Sequence, residues 1–402
     1  MQRVVVTGLG VVASPGIGVP AFWEALAVGR SAIGPLIGVD AGHFRFPNAA
    51  QVRDYHALDH FSEKQTDHID RFAQFGVVAA REALRDSGLK VEELRRRETV
   101  IATGTCVGGQ STEDEGFVEL YRRGRPRVNP MTVPRVMANA GASHISMDLG
   151  LTGPAFTMST ACSSANHAIG MAYWMIRQGS AEYAVTGGCE APFSFGHLKA
   201  WEALRVVSPD TCRPFSQDRR GMILGEGAAM LILESRDVAI ARGARIYAEI
   251  VGFGMSADAA HITQPSWEGA AKAMRAALHD ACIPASEVKY INAHGTGTVA
   301  NDVTETKAIH NVFGSAPKLA VSSTKSIHGH TLGAAGALEA AATALALTHG
   351  TLPPTANYTG PDPECDLDVI PNSSRTAQVE YAMSNSFAFG GLNAVLIFRG
   401  RS

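Results

Sequence analysis

A β-then-α rhythm that runs once and then restarts is the feature that most narrows what this chain of 402 residues can fold into. Short β-branched or apolar runs stand at Val4–Val6, Thr99–Ala102, Phe156–Thr160, Tyr183–Thr186 and Ala228–Leu233. Helical periodicity lies between them at Ala21–Val28, Arg71–Ser87 and Ser164–Gln178, the last two closed by Gly88 and Gly179. After the charged stretch Glu234–Arg245 the order begins again. It gives a strand at Arg245–Gly252, a helix at Ala270–Cys282, a strand at Tyr290–Ala293 and a helix at Val303–Phe313. A strand at Leu319–Ser322, an Ala-rich helix at Gly333–Thr348 and a hairpin around Gly390-Gly391 follow. The pattern predicts an α/β architecture of two packed halves, 1–245 and 246–402.

Composition removes several classes of function. With 46% hydrophobic and 18% charged residues the chain is globular. Its 35 basic and 38 acidic residues leave a formal charge of −3, without the overall field that sequence-independent nucleic-acid binding needs. No apolar run reaches the ~18 residues of a membrane helix; the richest, Gly333–Leu347, is interrupted by Glu339. The start, Met1–Ala13, has one basic residue and is broken by Gly8 and Gly10, so it reads as a buried strand and glycine turn rather than a signal peptide. None of the six cysteines has Cys-x-x-Cys spacing or a histidine at zinc-ligand spacing, which predicts reduced thiols, no metal and a cytoplasmic location.

Four constellations can carry chemistry. In Thr160-Ala161-Cys162-Ser163-Ser164 a cysteine sits between a strand end and a helix start. Unpaired N–H groups and the helix dipole there favour its thiolate and can hold the oxyanion of a thioester under attack. The other five cysteines lack this setting and default to the core. In His294-Gly295-Thr296-Gly297-Thr298 a histidine opens a small-sided loop, beyond which Asp302 and Glu305 have capping-box spacing. Lys325 lies before a tight Ala/Gly helix that bears Glu339, a partner for a buried ammonium. His330 lies in the same stretch, and His328 reads as a solvent-side residue. Finally, Phe387–Asn393 sets an aromatic beside a Gly-Gly turn.

Taken in order, Thr160-Ala161-Cys162, His294–Thr298, Thr324-Lys325-Ser326, Gly329-His330 and Phe387–Asn393 resemble the β-ketoacyl-[acyl-carrier-protein] synthases of the elongating Cys-His-His type, over essentially the whole chain. Stretches such as Lys199-Ala200-Trp201-Glu202-Ala203 and Ser208–Phe215 look like the nodulation protein E branch. The resemblance implies the thiolase fold, two similar halves in five α/β/α/β/α layers, as a homodimer. It implies that Cys162 accepts an acyl chain from a carrier protein, with the N–H groups of Cys162 and Phe389 holding the oxyanion. His294 and His330 would stabilise the enolate of a decarboxylating malonyl thioester, and Lys325 would orient the site. No cofactor is implied beyond the phosphopantetheine that carries the substrates. Substrate-side positions by the same resemblance are Thr296 and Thr298 for the phosphopantetheine arm, Val107 for the acyl tunnel, and Leu198, with Glu339 beside Lys325. Phe389 matches a gating ring.

The chain departs from that pattern. Ala388 replaces a customary glycine, which predicts a stiffer loop beneath Phe389, and Asp67, His68 and Glu202 stand where basic residues often meet the acidic carrier. Lys64, Arg123, Arg125, Arg127 and Lys199 are the expected replacements. A non-catalytic chain-length subunit would lack the nucleophile. A degradative thiolase would need a second cysteine near the last Gly-rich turn, and an initiating synthase would have Asn in place of the second histidine.

Overall fold

The structure is a computed structural model and describes residues 1–314 and 319–400. Among the described residues ten principal strands are found. The first five are β1 (Val4–Ala13), β2 (Thr99–Gly104), β3 (Ala155–Met158), β4 (Tyr183–Glu190) and β5 (Gly227–Ser235). The second five are β6 (Ala248–Ala257), β7 (Val288–Asn292), β8 (Ala320–Ser322), β9 (Tyr381–Ala388) and β10 (Leu392–Arg399). The first set is ordered β1-β5-β4-β2-β3 and the second β6-β10-β9-β7-β8, the same topology twice. In each, the first three neighbours pair antiparallel and the last two pairs are parallel. The sets join where Val4–Val6 of β1 pair antiparallel with Ala248–Ile250 of β6.

Both faces of these strands are covered, so they read as continuous apolar runs. In β5, Ala229, Leu231 and Leu233 face an inner core, while Ala228, Met230 and Ile232 face an outer one. The inner core holds the helices Ser164–Arg177 and Ala335–His349, packed between the two sets of strands. Helices Arg71–Ser87 and Ala140–Leu149 cover the outside of the first half. Trp267–Ala281 and Val299–Phe313 cover the second. Five layers result. The Ala-rich composition of Ala335–His349 follows from its central place, where every residue from Ala335 to Leu347 is buried and small side chains let two sheets and a helix approach.

Two expectations need correction here. Gly8 and Gly10 make no turn but lie inside β1, where an added Cβ would fall 2.2 Å from the Ala83 carbonyl oxygen and 1.9 Å from that of Ala79. They let the helix Arg71–Ser87 lie directly on the strand. Cys282 is not a core residue: it is exposed at the C-cap of Trp267–Ala281, in a left-handed conformation.

Candidate active site

The approach to Cys162 is strained. Strand β3 ends at Met158, Ala161 takes φ 50°, and a short 3-10 turn Ala161–Ser163 feeds the inner helix. Cys162 is thus presented at a helix start, with the N–H groups of Phe389 and of Cys162 itself turned toward its sulfur. Burial pushes the thiol up to about 11, against the pull of Lys325 and those two N–H groups. The sequence placed this pKa below that of a free cysteine. Burial at the centre of the molecule outweighs the helix terminus.

His294 emerges just beyond β7. Its loop is held by two carboxylates of the next helix: Glu305 accepts the N–H groups of His294 and Gly295, each at 2.8 Å, and Asp302 accepts those of Phe215 at 2.8 Å and Gly297 at 3.2 Å. These two acids are not a capping box. The helix begins a turn earlier, with Thr298 as its N-cap, and the buried loop donors claim both side chains.

His330 follows the one-turn helix Lys325–His328. Its N–H donates to the Ile223 carbonyl at 2.7 Å, and its own carbonyl accepts from Gly225 at 2.9 Å. His328 is fully buried, not solvent-side, with Nδ1–H on the Gly329 carbonyl at 2.8 Å and Nε2 on the Thr324 hydroxyl at 3.0 Å. The segment feeding a central helix has no solvent side.

The sulfur and one nitrogen of each imidazole lie within 4.8 Å of one another. The His294 and His330 rings meet edge to face, centroids 5.4 Å apart. Hydrogen bonds at the far nitrogens fix the tautomers. Lys325 Nζ stands 3.3 Å from Nδ1 of His294 and donates to that residue's carbonyl at 2.6 Å, while the Leu332 N–H donates to Nδ1 of His330 at 3.2 Å. With Nδ1 accepting in each ring, the Nε2 atoms carry the protons. Burial holds both imidazoles well below 6.5, reinforced by Lys325, so each is neutral with an N–H to donate. Two protonated Nε2 atoms suit a developing oxyanion better than a metal ion, although this is the one cluster among the described residues close enough to enclose one. Lys325 is paired with Glu339, both wholly buried, and burial pushes Glu339 up to about 7 against the ammonium's pull.

These three residues share a cavity of ≈ 200 Å³ with Thr296, Thr298, Phe387 and Phe389. The Thr296 and Thr298 hydroxyls are 2.8 Å apart on its wall. Glu339 lies behind Lys325 and reaches no wall, and neither Val107 nor Leu198 lines the cavity. Leu198 packs instead in an apolar cluster against which Phe389 rests. Ala388 ends strand β9 without a left-handed φ and so does not demand glycine, whereas Gly390 and Gly391 have φ 83° and 69° in the three-residue connection Phe389–Gly391 between β9 and β10.

The expected basic cluster lies apart. Arg123, Arg125 and Arg127 line a separate groove of ≈ 600 Å³ with Asp114, Glu115 and Glu119, and Arg125 pairs with Glu119 at 2.8 Å. Lys199 is paired with Glu202 at 2.8 Å, and Lys64 is exposed on the one-turn helix Glu63–Thr66. The helix Phe195–Leu204 spans the two places, with Phe195 on the groove and Trp201 and Leu204 on the cavity.

Sequence reasoning missed the loop His261–Pro265, which forms part of the cavity wall. The Ile262 carbonyl accepts the Gly390 N–H at 2.7 Å, and Asp258 accepts from the Asn393 side chain at 2.7 Å, so loop and hairpin turn are tied together. Pro265 and the N-cap Ser266 mark a loop in the sequence, but nothing local marks its distant partner.

Comparison with known proteins now decides the family. Residues 1–239 match the Beta-ketoacyl synthase, N-terminal domain, and residues 247–359 match the Beta-ketoacyl synthase, C-terminal domain. The chain belongs to the β-ketoacyl synthase family. It is 48% identical over 399 residues to Nodulation protein E of Rhizobium sp. (strain N33), covering 99% of both chains. It is 41% identical over 406 residues to 3-oxoacyl-[acyl-carrier-protein] synthase 2 of Staphylococcus aureus (strain COL), covering 99% of this chain and 98% of that one. Among solved structures, the ishigamide ketosynthase/chain length factor superposes with TM-score 0.96 at 39% identity, covering 100% of both chains. A type II PKS acyl-carrier protein in complex with its ketosynthase bound to the hexaketide gives TM-score 0.90 at 33% identity, again covering 100% of both. The five layers are those of this family of synthases, and the protein is an acyltransferase-type enzyme.

Proposed function

We propose that the protein extends an acyl chain by two carbons, using Cys162 as nucleophile and His294 and His330 as paired donors. The observation that carries this is the convergence of one thiol and two neutral imidazoles, their Nε2 atoms protonated, in one cavity. An acyl carrier thioester meets the Cys162 sulfur; a new carbon–sulfur bond forms, the old one breaks, and the thiol proton ends on the departing carrier thiol. The N–H groups of Cys162 and Phe389 receive the oxyanion of this step. A malonyl thioester then loses carbon dioxide, its electron pair passing to an enolate whose oxygen takes the two imidazole N–H groups. The enolate carbon attacks the acyl carbonyl, expels the Cys162 sulfur, which takes up one proton, and leaves as a 3-oxoacyl thioester. One preorganised donor of this kind is worth about 3 kcal/mol in the barrier.

Lys325 fixes the His294 tautomer in this scheme, and Thr296 and Thr298 contact the phosphopantetheine arm. Lys64, Arg123, Arg125, Arg127 and Lys199 form the docking side for the carrier. Val107 and Leu198 border the acyl path behind the walls of the present cavity. Residues 1–245 make the half that bears the nucleophile and 246–402 the half that bears the imidazoles. Strand β3, a sheet edge with Phe156 and Met158 only partly buried, supports association of two copies through that edge. The six free cysteines support a cytoplasmic location. Intact-mass spectrometry after incubation with acyl carrier proteins of graded length is the direct test. One acyl adduct is expected, lost in Cys162→Ala; an adduct that survives this substitution sinks the proposal.

A further inference from the structure

The motif around Trp201 has no role in the chemistry above, yet Trp201 is built into the site. The helix Phe195–Leu204 places His197 and Trp201 one turn apart, and the indole N–H donates to His197 Nε2 at 2.8 Å. Trp201 is 8% exposed, and its ring stacks on that of Phe389 with centroids 6.2 Å apart and planes 25° from parallel. Both rings lie on the wall of the Cys162 cavity. Phe389 sits between strand β9 and Gly390, whose N–H on the Ile262 carbonyl at 2.7 Å ties the backbone and leaves the ring to be placed by its neighbours. An indole can slide or rotate over a neighbouring ring at little cost; one whose N–H is held by a fixed acceptor cannot. Burial drives His197 down to about 4, which keeps its ring neutral and available as that acceptor. At the helix start, Asp114 accepts the Gly196 N–H at 2.9 Å, anchoring the turn that carries His197.

We infer that Trp201, keyed by His197, is a positioning residue that sets the closed place of Phe389 and thereby decides which acyl chains pass to Cys162. The inference rests on the acyl-transfer reading of Cys162 and deepens it. An entering chain must push the Phe389 ring off the indole, and the keyed indole resists by an amount that differs with chain length. Loss of the key lowers that resistance for every chain and flattens the discrimination.

The experiment compares the unaltered full chain with Trp201→Phe, His197→Leu and His197→Gln, measuring Cys162 acylation rates by intact mass with a short and a long saturated acyl carrier protein. The ratio of the two rates is expected to move about tenfold toward unity in Trp201→Phe and His197→Leu. His197→Gln, which keeps an acceptor, restores most of it. In parallel, tryptophan emission of the unaltered protein should change on acylation as Phe389 leaves the indole, and this change should vanish in Trp201→Phe. A rate ratio within twofold of the unaltered value in both Trp201→Phe and His197→Leu overturns the inference. So does equal behaviour of His197→Leu and His197→Gln, since a merely structural histidine would not distinguish them. Failure of the unaltered protein to acylate at Cys162 at all is a separate result, and it overturns the underlying reading together with the inference.

Discussion

At the start of its inner helix each half of the molecule bends through a residue of positive φ, Ala161 at 50° in the first and Leu332 at 46° in the second. The next residue is Cys162 in one and Gly333 in the other. Cys162 has a cavity before its side chain. At Gly333 a Cβ would stand 2.2 Å from the Cys106 nitrogen, and its N–H is already given to Glu190 at 3.0 Å. The loops beyond β2 and β7 are held in the same way. Glu190 accepts the N–H groups of Cys106 at 2.6 Å and Val107 at 3.3 Å, as Glu305 accepts those of His294 and Gly295. One scaffold with buried carboxylates under its loops is thus used twice, once to present a thiol and once to present imidazoles. What differs is which side of each turn was left open.

The sharpest way to break this comparison is to exchange the turns. Cys162→Ala should abolish acyl transfer, and adding Gly333→Cys should not restore it, because that turn has neither the space nor a free N–H. Acylation of the double variant, seen by intact mass, would show the two turns to be equivalent. Next come the imidazoles: His294→Ala and His330→Ala should each cut release of labelled carbon dioxide from malonyl carrier protein by about 10²–10³-fold while Cys162 still acylates. Loss of acylation with decarboxylation intact would reverse the assignment of the halves.

An effect of comparable size, read in stability, concerns the pair beneath His294. Lys325→Met leaves Glu339 buried without its ammonium and should cost about 3–5 kcal/mol in urea unfolding, most of it recovered when Glu339→Leu is added. If the single and double variants unfold alike, the pair does not hold that half together. The smallest is a pH effect. Burial lowers His328 from 6.5 to about 3, so below pH 6.5 the unfolded chain binds a proton that the native chain refuses. Stability then falls with falling pH by about 1.4 kcal/mol per unit for this group, and is regained on returning above 6.5. His328→Gln should shrink the stability difference between pH 7 and pH 5 by about 2 kcal/mol. An unchanged difference in denaturant titrations would mean that His328 takes up its proton in the fold.

Elements and chemistry were legible where the information is local. The helix Arg71–Ser87 and its Gly88 cap, the double-glycine hairpin and the strand–cysteine–helix turn each depend on neighbours a few residues away. The thiol, the two imidazoles and the lysine were therefore named from motifs and from the resemblance those motifs carry in order, together with a fold of two similar halves. Burial was decided by tertiary structure, because it depends on which layers close over a segment. That is why His328 is interior, why the Cys162 thiol is pushed up rather than down, and why Asp302 and Glu305 turn back to a loop instead of capping a helix. The stacking of Trp201 on Phe389 and the bond from Ile262 to Gly390 are likewise contacts between segments far apart in the chain. Periodicity and spacing report what a residue can reach along its own element; only packing fixes what comes to meet it from another.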